Sequence, residues 1–458
     1  MSDLPDEIRT WIEASTDATI TEARRQPGGA RKEAWFVDVD GADGPRGLFL
    51  RYDRTDPDRT GDPWTIQREG EVYLALQDTD VRVPRVIGVH PTAQAMLSER
   101  VTGGTWFSQI VDPAEQLSTA QDFMTQLAAL HALDATALDL PSFPKATTIR
   151  DLVHHELDEM EGIIAHRGGP VDPRLQFSLR WLRANIPDYE GPVSLIQGDT
   201  GPGNFMYTDG KVVAVVDWEL AHLGDPMDDI AWLSLRTTQE PFTTFPDRLR
   251  EYEELTGTTI DERRVRYYQV MAETKILVMG HQPRSSSGDG PRPAPPAEAG
   301  NLLIYGMLHR RLWFEAIAAF VGLEYDPIEV APDDERTDVD VLYQGVLDEL
   351  RDVIVPALSD PMALRRGKGM ARIVKYLRES ARTAAFYEAD ELEDLTKALG
   401  HRPATVQAGR QEIDERARTG EIADLDYLRY AWRRTSRDNE VTRSASGALA
   451  DRHWPELR

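Results

Sequence analysis

The sequence predicts an α+β chain: a small antiparallel sheet lobe at the N-terminus, a larger helical lobe, and an all-helical module after it. Three observations carry this. Two β-rich runs, RKEAWFVDVDG and PRGLFLRYD, meet at GADG, a hairpin signal. From residue 113 onward apolar residues recur at helical spacing. Within that helical stretch, QGDTGPGNFMYTDGKVVAVVDWE at 197–219 switches to glycine-rich turns and a short strand.

Taken in order, residues 5–14 read as a short helix, and 18–101 as mostly strands. IQREGEVYLALQ at 66–77 supplies the one helix on that sheet, and QAMLSERVTGG a strand ending in a polar turn. Helices follow at 119–133, 149–165 and 173–185, then at 226–236, 246–255, 260–280 and 301–321. RSSSGDGPRPAPPAEAG, at 284–300, has the composition of a flexible loop. The acidic, proline-bearing DPIEVAPDDERT marks a boundary, and helices resume at 339–353, 362–385, 389–399, 404–418 and 424–438. Val339, Leu342, Val346, Leu350 and Val353 share one face of the first of these. The domains expected are 1–101, 102–328 and 329–458, since 458 residues exceed one ordinary core.

Composition excludes several chemistries. No cysteine is present, so thiolate nucleophiles, disulfides and cysteine-based metal centres are out. A formal charge of −26 argues against non-specific nucleic-acid binding and against docking on anionic lipid. The N-terminus, MSDLPDEIRTWIEAST, is acidic and unlike a signal peptide, and no apolar run reaches membrane-spanning length. The expectation is a soluble, cytoplasmic protein with no nucleic-acid or membrane partner.

The segment at 197–219 fits phosphoryl transfer. That reaction needs a carboxylate to orient and deprotonate a hydroxyl, oxygen ligands for Mg²⁺, and cationic or N–H donors for the phosphates. Mg²⁺ prefers hard oxygen ligands and keeps some of its waters. Asp199 suits the base, and Asn204 and Asp217 suit the ligands. The five-residue gap lets one loop aim Asp199 and Asn204 into one cleft, and the strand VVAVV delivers Asp217.

QGDTGPGNFMY followed by VVAVVDWE resembles the aminoglycoside-phosphotransferase and choline-kinase branch of the protein-kinase-like fold. GDPMDDIAWL is similar to that family's next segment, with Asp229 in the place of a structural acid. The resemblance covers about residues 18–325. It implies a bilobal kinase-like fold, Asp199 as catalytic base, and Asn204 and Asp217 as Mg²⁺ ligands. Gln197 stands where the family usually has a structural His, and a Gln amide offers similar hydrogen bonds.

The resemblance also implies a nucleotide site in the first domain. Gly28 and Gly29 match the loop over the phosphates, and Arg51 takes the strand position where most kinases have Lys. Glu69 matches the acid that pairs with this cation, with Glu71 and Glu22 as alternatives. Backbone groups around Glu99–Val101 match the hinge that reads the purine, so ATP is expected and GTP stays open. His131 is expected to pack or cap.

The implied acceptor is a small-molecule hydroxyl. LFLRYD, RVTGGTWF and GDPMDDIAWL resemble the branch related to kinase domains attached to acyl-CoA dehydrogenases, which suggests a hydroxyacyl-CoA or similar alcohol. An aminoglycoside or macrolide is the alternative acceptor, and a weakly active nucleotide-binding pseudokinase the alternative class. Tyr267, Tyr268, Trp313 and Phe314 are candidates for a substrate cleft or for core. The C-terminal stretch resembles a small helical domain of unassigned function. Its basic cluster of Arg365, Arg366, Lys368 and Arg372 is either a phosphate or lobe contact or a solvated face, and a homodimer stays open.

Overall fold

The computed structural model describes residues 4–26, 32–55, 61–145, 148–281, 296–332 and 338–458, with side chains undescribed at 296–298. Gly28, Gly29 and most of the 284–300 loop lie outside the described residues. The chain forms two compact units: Met1–Arg167, Ile186–Gln269 and Pro455–Arg458 make the first, Gly168–Asn185 and Val270–Trp454 the second. The units do not follow chain order. Residues 168–185 and 270–328, expected with the helices around the catalytic loop, belong to the second unit.

The first unit opens with α1 (Asp6–Thr16), then β1 (Ala18–Arg25), β2 (Glu33–Gly41) and β3 (Gly44–Tyr52). After α2 (Ile66–Leu76) come β4 (Val86–Val89) and β5 (Ala95–Glu99). The five strands form one antiparallel sheet in the order β1-β2-β3-β5-β4. Alternation along β2 and β3 buries Trp35, Val37, Val39, Leu48 and Leu50 on one face, where Ile8 and Ile12 of α1 cover them. Arg51 falls on the opposite face of the pleat from Leu50. α2 starts at Thr65, whose side chain accepts the Arg68 amide.

The rest of this unit is helical around small strand pairs: α3 (Pro113–His131), α4 (Ile149–Arg167), β6 (Ser194–Ile196), β7 (Phe205–Thr208), β8 (Lys211–Val215) and β9 (His222–Gly224). α6 (Pro226–Gln239) and α7 (Phe245–Thr256) follow. The β7–β8 turn uses Asp209 and Gly210, with φ of 50° and 72°, as a tight hairpin of right-handed twist requires. β6 pairs with β9, which returns the chain beside the Gln197–Asn204 loop.

The second unit contains α5 (Pro173–Ala184), the latter part of α8 (Glu262–Gly280), α9 (Pro296–Val321) and α10 (Asp338–Glu349), which continues through a π-helical turn at Leu350–Ile354. It closes with α11 (Pro361–Leu399), α12 (Val406–Thr419) and α13 (Asp424–Ser446). One continuous α11 replaces the two helices expected there. α11 packs against α9 and α13, and its contact with α9 is close: a Cβ on Gly300 would lie 2.5 Å from the Gly369 carbonyl oxygen. Phe177 packs on Trp313 and Tyr427, which is why α5 shares a core with the C-terminal helices.

The structure decides two readings that the sequence left open. Val339, Leu342, Val346 and Val353 are exposed, and Leu350 alone of that face is buried. Periodicity identifies an apolar face but not what covers it. Tyr267, Tyr268, Trp313 and Phe314 are buried, which is the core reading offered for them, and Trp313 and Phe314 also border cavities of the second unit. On α11, Arg365, Arg366 and Lys368 are exposed, while Arg372 donates to Asn301.

Candidate active site

The loop from Gln197 to Asn204 is held by one buried acid. Asp229, at the start of α6, accepts the backbone N–H groups of Gln197 at 3.0 Å and Gly198 at 2.9 Å. It also accepts the Thr200 hydroxyl and faces His131 Nε2 at 3.0 Å. Burial raises the Asp229 pKa, but His131, Thr200 and the Gly198 amide outweigh it and hold the carboxyl below its ordinary value. His131 also contacts the Tyr252 hydroxyl at 2.7 Å, so it serves the scaffold. Gln197 donates to the Val216 carbonyl at 2.8 Å and so ties this loop to the segment bearing Asp217. Gly198 has φ +79°, and a Cβ there would meet the Leu220 carbonyl at 2.3 Å.

Asp199 and Asn204 meet as the spacing predicts. Asn204 Nδ2 donates to the Asp199 backbone carbonyl at 2.7 Å and to its Oδ2 at 2.8 Å. That leaves Asn204 Oδ1 as the atom a hard cation would take. Arg236, which sequence reasoning missed, donates from Nε to Asp199 Oδ1 at 2.7 Å and from Nη2 to Oδ2. Burial raises the Asp199 pKa, Arg236 pulls it down and Asp217 pushes it up; the net direction is upward. One signal for Arg236 was present. It lies seven residues after Asp229 on α6, two turns along the same face.

Asp217 follows β8 with φ +64°, a left-handed conformation that Asp tolerates better than most residues. Its Oδ1 lies 2.7 Å from Arg51 Nη2. The same Nη2 lies 3.1 Å from Glu219 Oε2, and Arg51 Nε is 3.0 Å from Glu69 Oε2. This last contact is an ion pair without hydrogen-bond alignment. Burial works against the Arg51 charge, but Asp217, Glu69 and Glu219 hold its pKa well above the ordinary value. Glu69 is therefore the acid beside the strand cation. Glu71 instead receives Ser142, and Glu22 pairs with Arg24.

Lys32, just before β2, was also missed. Its buried Nζ lies 3.1 Å from Glu69 and 3.0 Å from Glu219. Two cations thus share the carboxylates next to Asp217. At the end of β5, the amides of Glu99 and Arg100 are engaged by the carbonyls of Arg85 and Gly47. Val101 has no backbone partner for its amide among the described residues. No helix among the described residues is long and apolar enough to cross a membrane.

A sheet lobe with a cation–acid pair, and a loop and hairpin that bring Asp199, Asn204 and Asp217 into one neighbourhood, fit a kinase-like fold. The sequence model of the Phosphotransferase enzyme family (APH) matches residues 22–268, more than half of the chain, and the protein belongs to that family. Acyl-CoA dehydrogenase family member 11 from Rattus norvegicus is 29% identical over 180 residues, 37% of this chain and 23% of the relative. The same-named protein of Pongo abelii is 30% identical over 184 residues, again 37% and 23%. The chain thus matches under a quarter of the length of these curated relatives. Among solved structures, the streptomycin–ATP–APH(2")-IIa ternary complex aligns at TM-score 0.45 and 16% identity, covering 61% of this chain and 91% of that one. Macrolide 2'-phosphotransferase MphH from Brachybacterium faecium aligns at 0.43 and 20%, covering 70% and 100%.

Proposed function

We propose that the protein transfers the γ-phosphate of ATP to a small-molecule hydroxyl, with a hydroxyacyl-CoA or similar alcohol as acceptor. The observation that carries this is the meeting of Asp199 with Asn204 on one loop, beside an Asp217 paired to Arg51. Asp199 accepts the proton of the acceptor hydroxyl as its oxygen forms the new P–O bond, and the bond to ADP breaks. An upward-shifted carboxyl is a better base than an ordinary one. Asp217 and the free Oδ1 of Asn204 are hard oxygens that suit Mg²⁺, which would neutralise charge on the phosphates when bound. Arg51 and Lys32 offer cations for the same phosphates once these compete with Glu69 and Glu219.

The acceptor class rests on the family branch: the curated relatives carry acyl-CoA dehydrogenase names. The test is ADP formation by the full chain with MgATP against hydroxyacyl-CoA thioesters, aminoglycosides and macrolides. Turnover is expected with the thioesters, and D199A should lose on the order of 10²–10⁴-fold. Turnover confined to the antibiotics would replace the acceptor assignment. Unchanged turnover in D199A would remove the base.

A further inference from the structure

We infer that Arg236 is the positioning residue of the base, an inference that rests on Asp199 acting as that base. The guanidinium meets the carboxylate with two donors, Nε on Oδ1 at 2.7 Å and Nη2 on Oδ2. Such a fork fixes the plane of a carboxylate as well as its position. Asn204 Nδ2 takes a further site on Oδ2 at 2.8 Å. A carboxylate offers about four lone-pair sites, so these contacts leave one, on Oδ1, to receive a hydroxyl proton. Arg236 cannot accept that proton itself, because a guanidinium stays charged in proteins.

The surroundings are built for this contact. Gly201 has φ +137°, and a Cβ there would stand 2.7 Å from Arg236 Cβ. The catalytic loop therefore needs glycine to let the Arg236 stem pass. From the other end, α6 carries both Asp229, which anchors the loop backbone, and Arg236, which anchors the base side chain. One rigid helix sets both the path of the loop and the direction of its carboxylate. Arg236 also feels Asp217 and Glu219, so its charge offsets the crowding of acids around Asp199.

The test uses the full chain and phosphate release from MgATP, water standing in for the acceptor. R236Q should lower kcat on the order of 100-fold, the scale of a small misplacement of a reacting group, with KM for ATP unchanged and a kcat loss larger than any fall in Tm explains. R236K keeps the charge without the fork and should recover little of that loss. Full turnover in R236Q or R236K, or a loss that merely follows ATP affinity and Tm, overturns the inference. D199N separates the two readings. If D199N is inactive and R236Q fully active, only the positioning role fails; if D199N keeps its turnover, the base assignment itself fails. A crystal structure of R236Q gives a readout independent of turnover. The Asp199 carboxylate should turn away from Asn204 Nδ2, and one that keeps its rotamer and that contact overturns the inference.

Discussion

Arg51 reaches across 166 residues of sequence to place Nη2 2.7 Å from Asp217 Oδ1. The same side chain has Glu69 3.0 Å from its Nε. A single guanidinium thus joins β3, α2 and the segment after β8, and neither acid is left facing the other without a cation between.

Arg51→Gln removes that cation and leaves buried Glu69 with Lys32 alone. Breaking one member of a buried pair should lower stability by about 3 kcal/mol, read from urea unfolding at neutral pH. R51K should recover only part, because an ammonium lacks the fork that spans both acids. An R51Q chain as stable as the parent would show that Lys32 suffices.

Asp217→Asn tests the ligand role separately from the fold. Asn tolerates the left-handed conformation at φ +64°, so the backbone is kept and any fall in Tm reports the weakened Arg51 pair alone. The loss of a carboxylate should raise the Mg²⁺ concentration that supports nucleotide binding, followed by calorimetry with ATP. If the metal dependence does not move, Asp217 is no ligand.

The acid Asp229 links the Gln197–Asn204 loop to pH. Its folded pKa is below the ordinary 3.8, so its stabilisation is fully present above that value. It is lost as pH falls further, through the folded pKa. D229N should therefore flatten the acid side of a Tm-against-pH curve. At neutral pH it should also cost about 1–3 kcal/mol, since an amide cannot accept all the donors that Asp229 meets. Parallel curves for the two proteins would refute the linkage.

Gly198→Ala places a methyl group 2.3 Å from the Leu220 carbonyl at a backbone φ of +79°. The expected effect is a destabilisation of more than about 1 kcal/mol and a displaced Asp199. Circular dichroism melts and turnover measure the two separately, and a G198A protein with parental values for both would contradict the packing.

Much of the site was legible because its parts are local. Asp199 and Asn204 sit five residues apart on one loop, and the glycines there mark a path that other residues cannot follow. The Asp209–Gly210 turn and the buried run of β8 bring Asp217 close within a single hairpin. Asp229 could be placed from GDPMDDIAWL, although its hold on the backbone of Gln197 and Gly198 could not. Lys32 escaped because nothing in its immediate neighbours distinguishes it from an ordinary surface cation, and Arg236 because its one signal, the two-turn spacing from Asp229, does not say which acid it meets. The exposed face of α10 shows the converse: a clear apolar stripe, with Val339, Leu342 and Val346 left uncovered among the described residues.

The sequence by itself determined most element types, the β-to-helix order and the hairpin before Asp217, since these follow from periodicity and turn chemistry over a few residues, and its motifs carried the resemblance to the family. Only the tertiary structure decided that Arg51 also pairs with Asp217, that Arg236 grips Asp199, and that residues 168–185 and 270–328 share a unit with the C-terminal helices. Ion pairs and shared cores depend on distances between segments far apart in the chain. Those distances are set by how every element packs, and no local pattern encodes them.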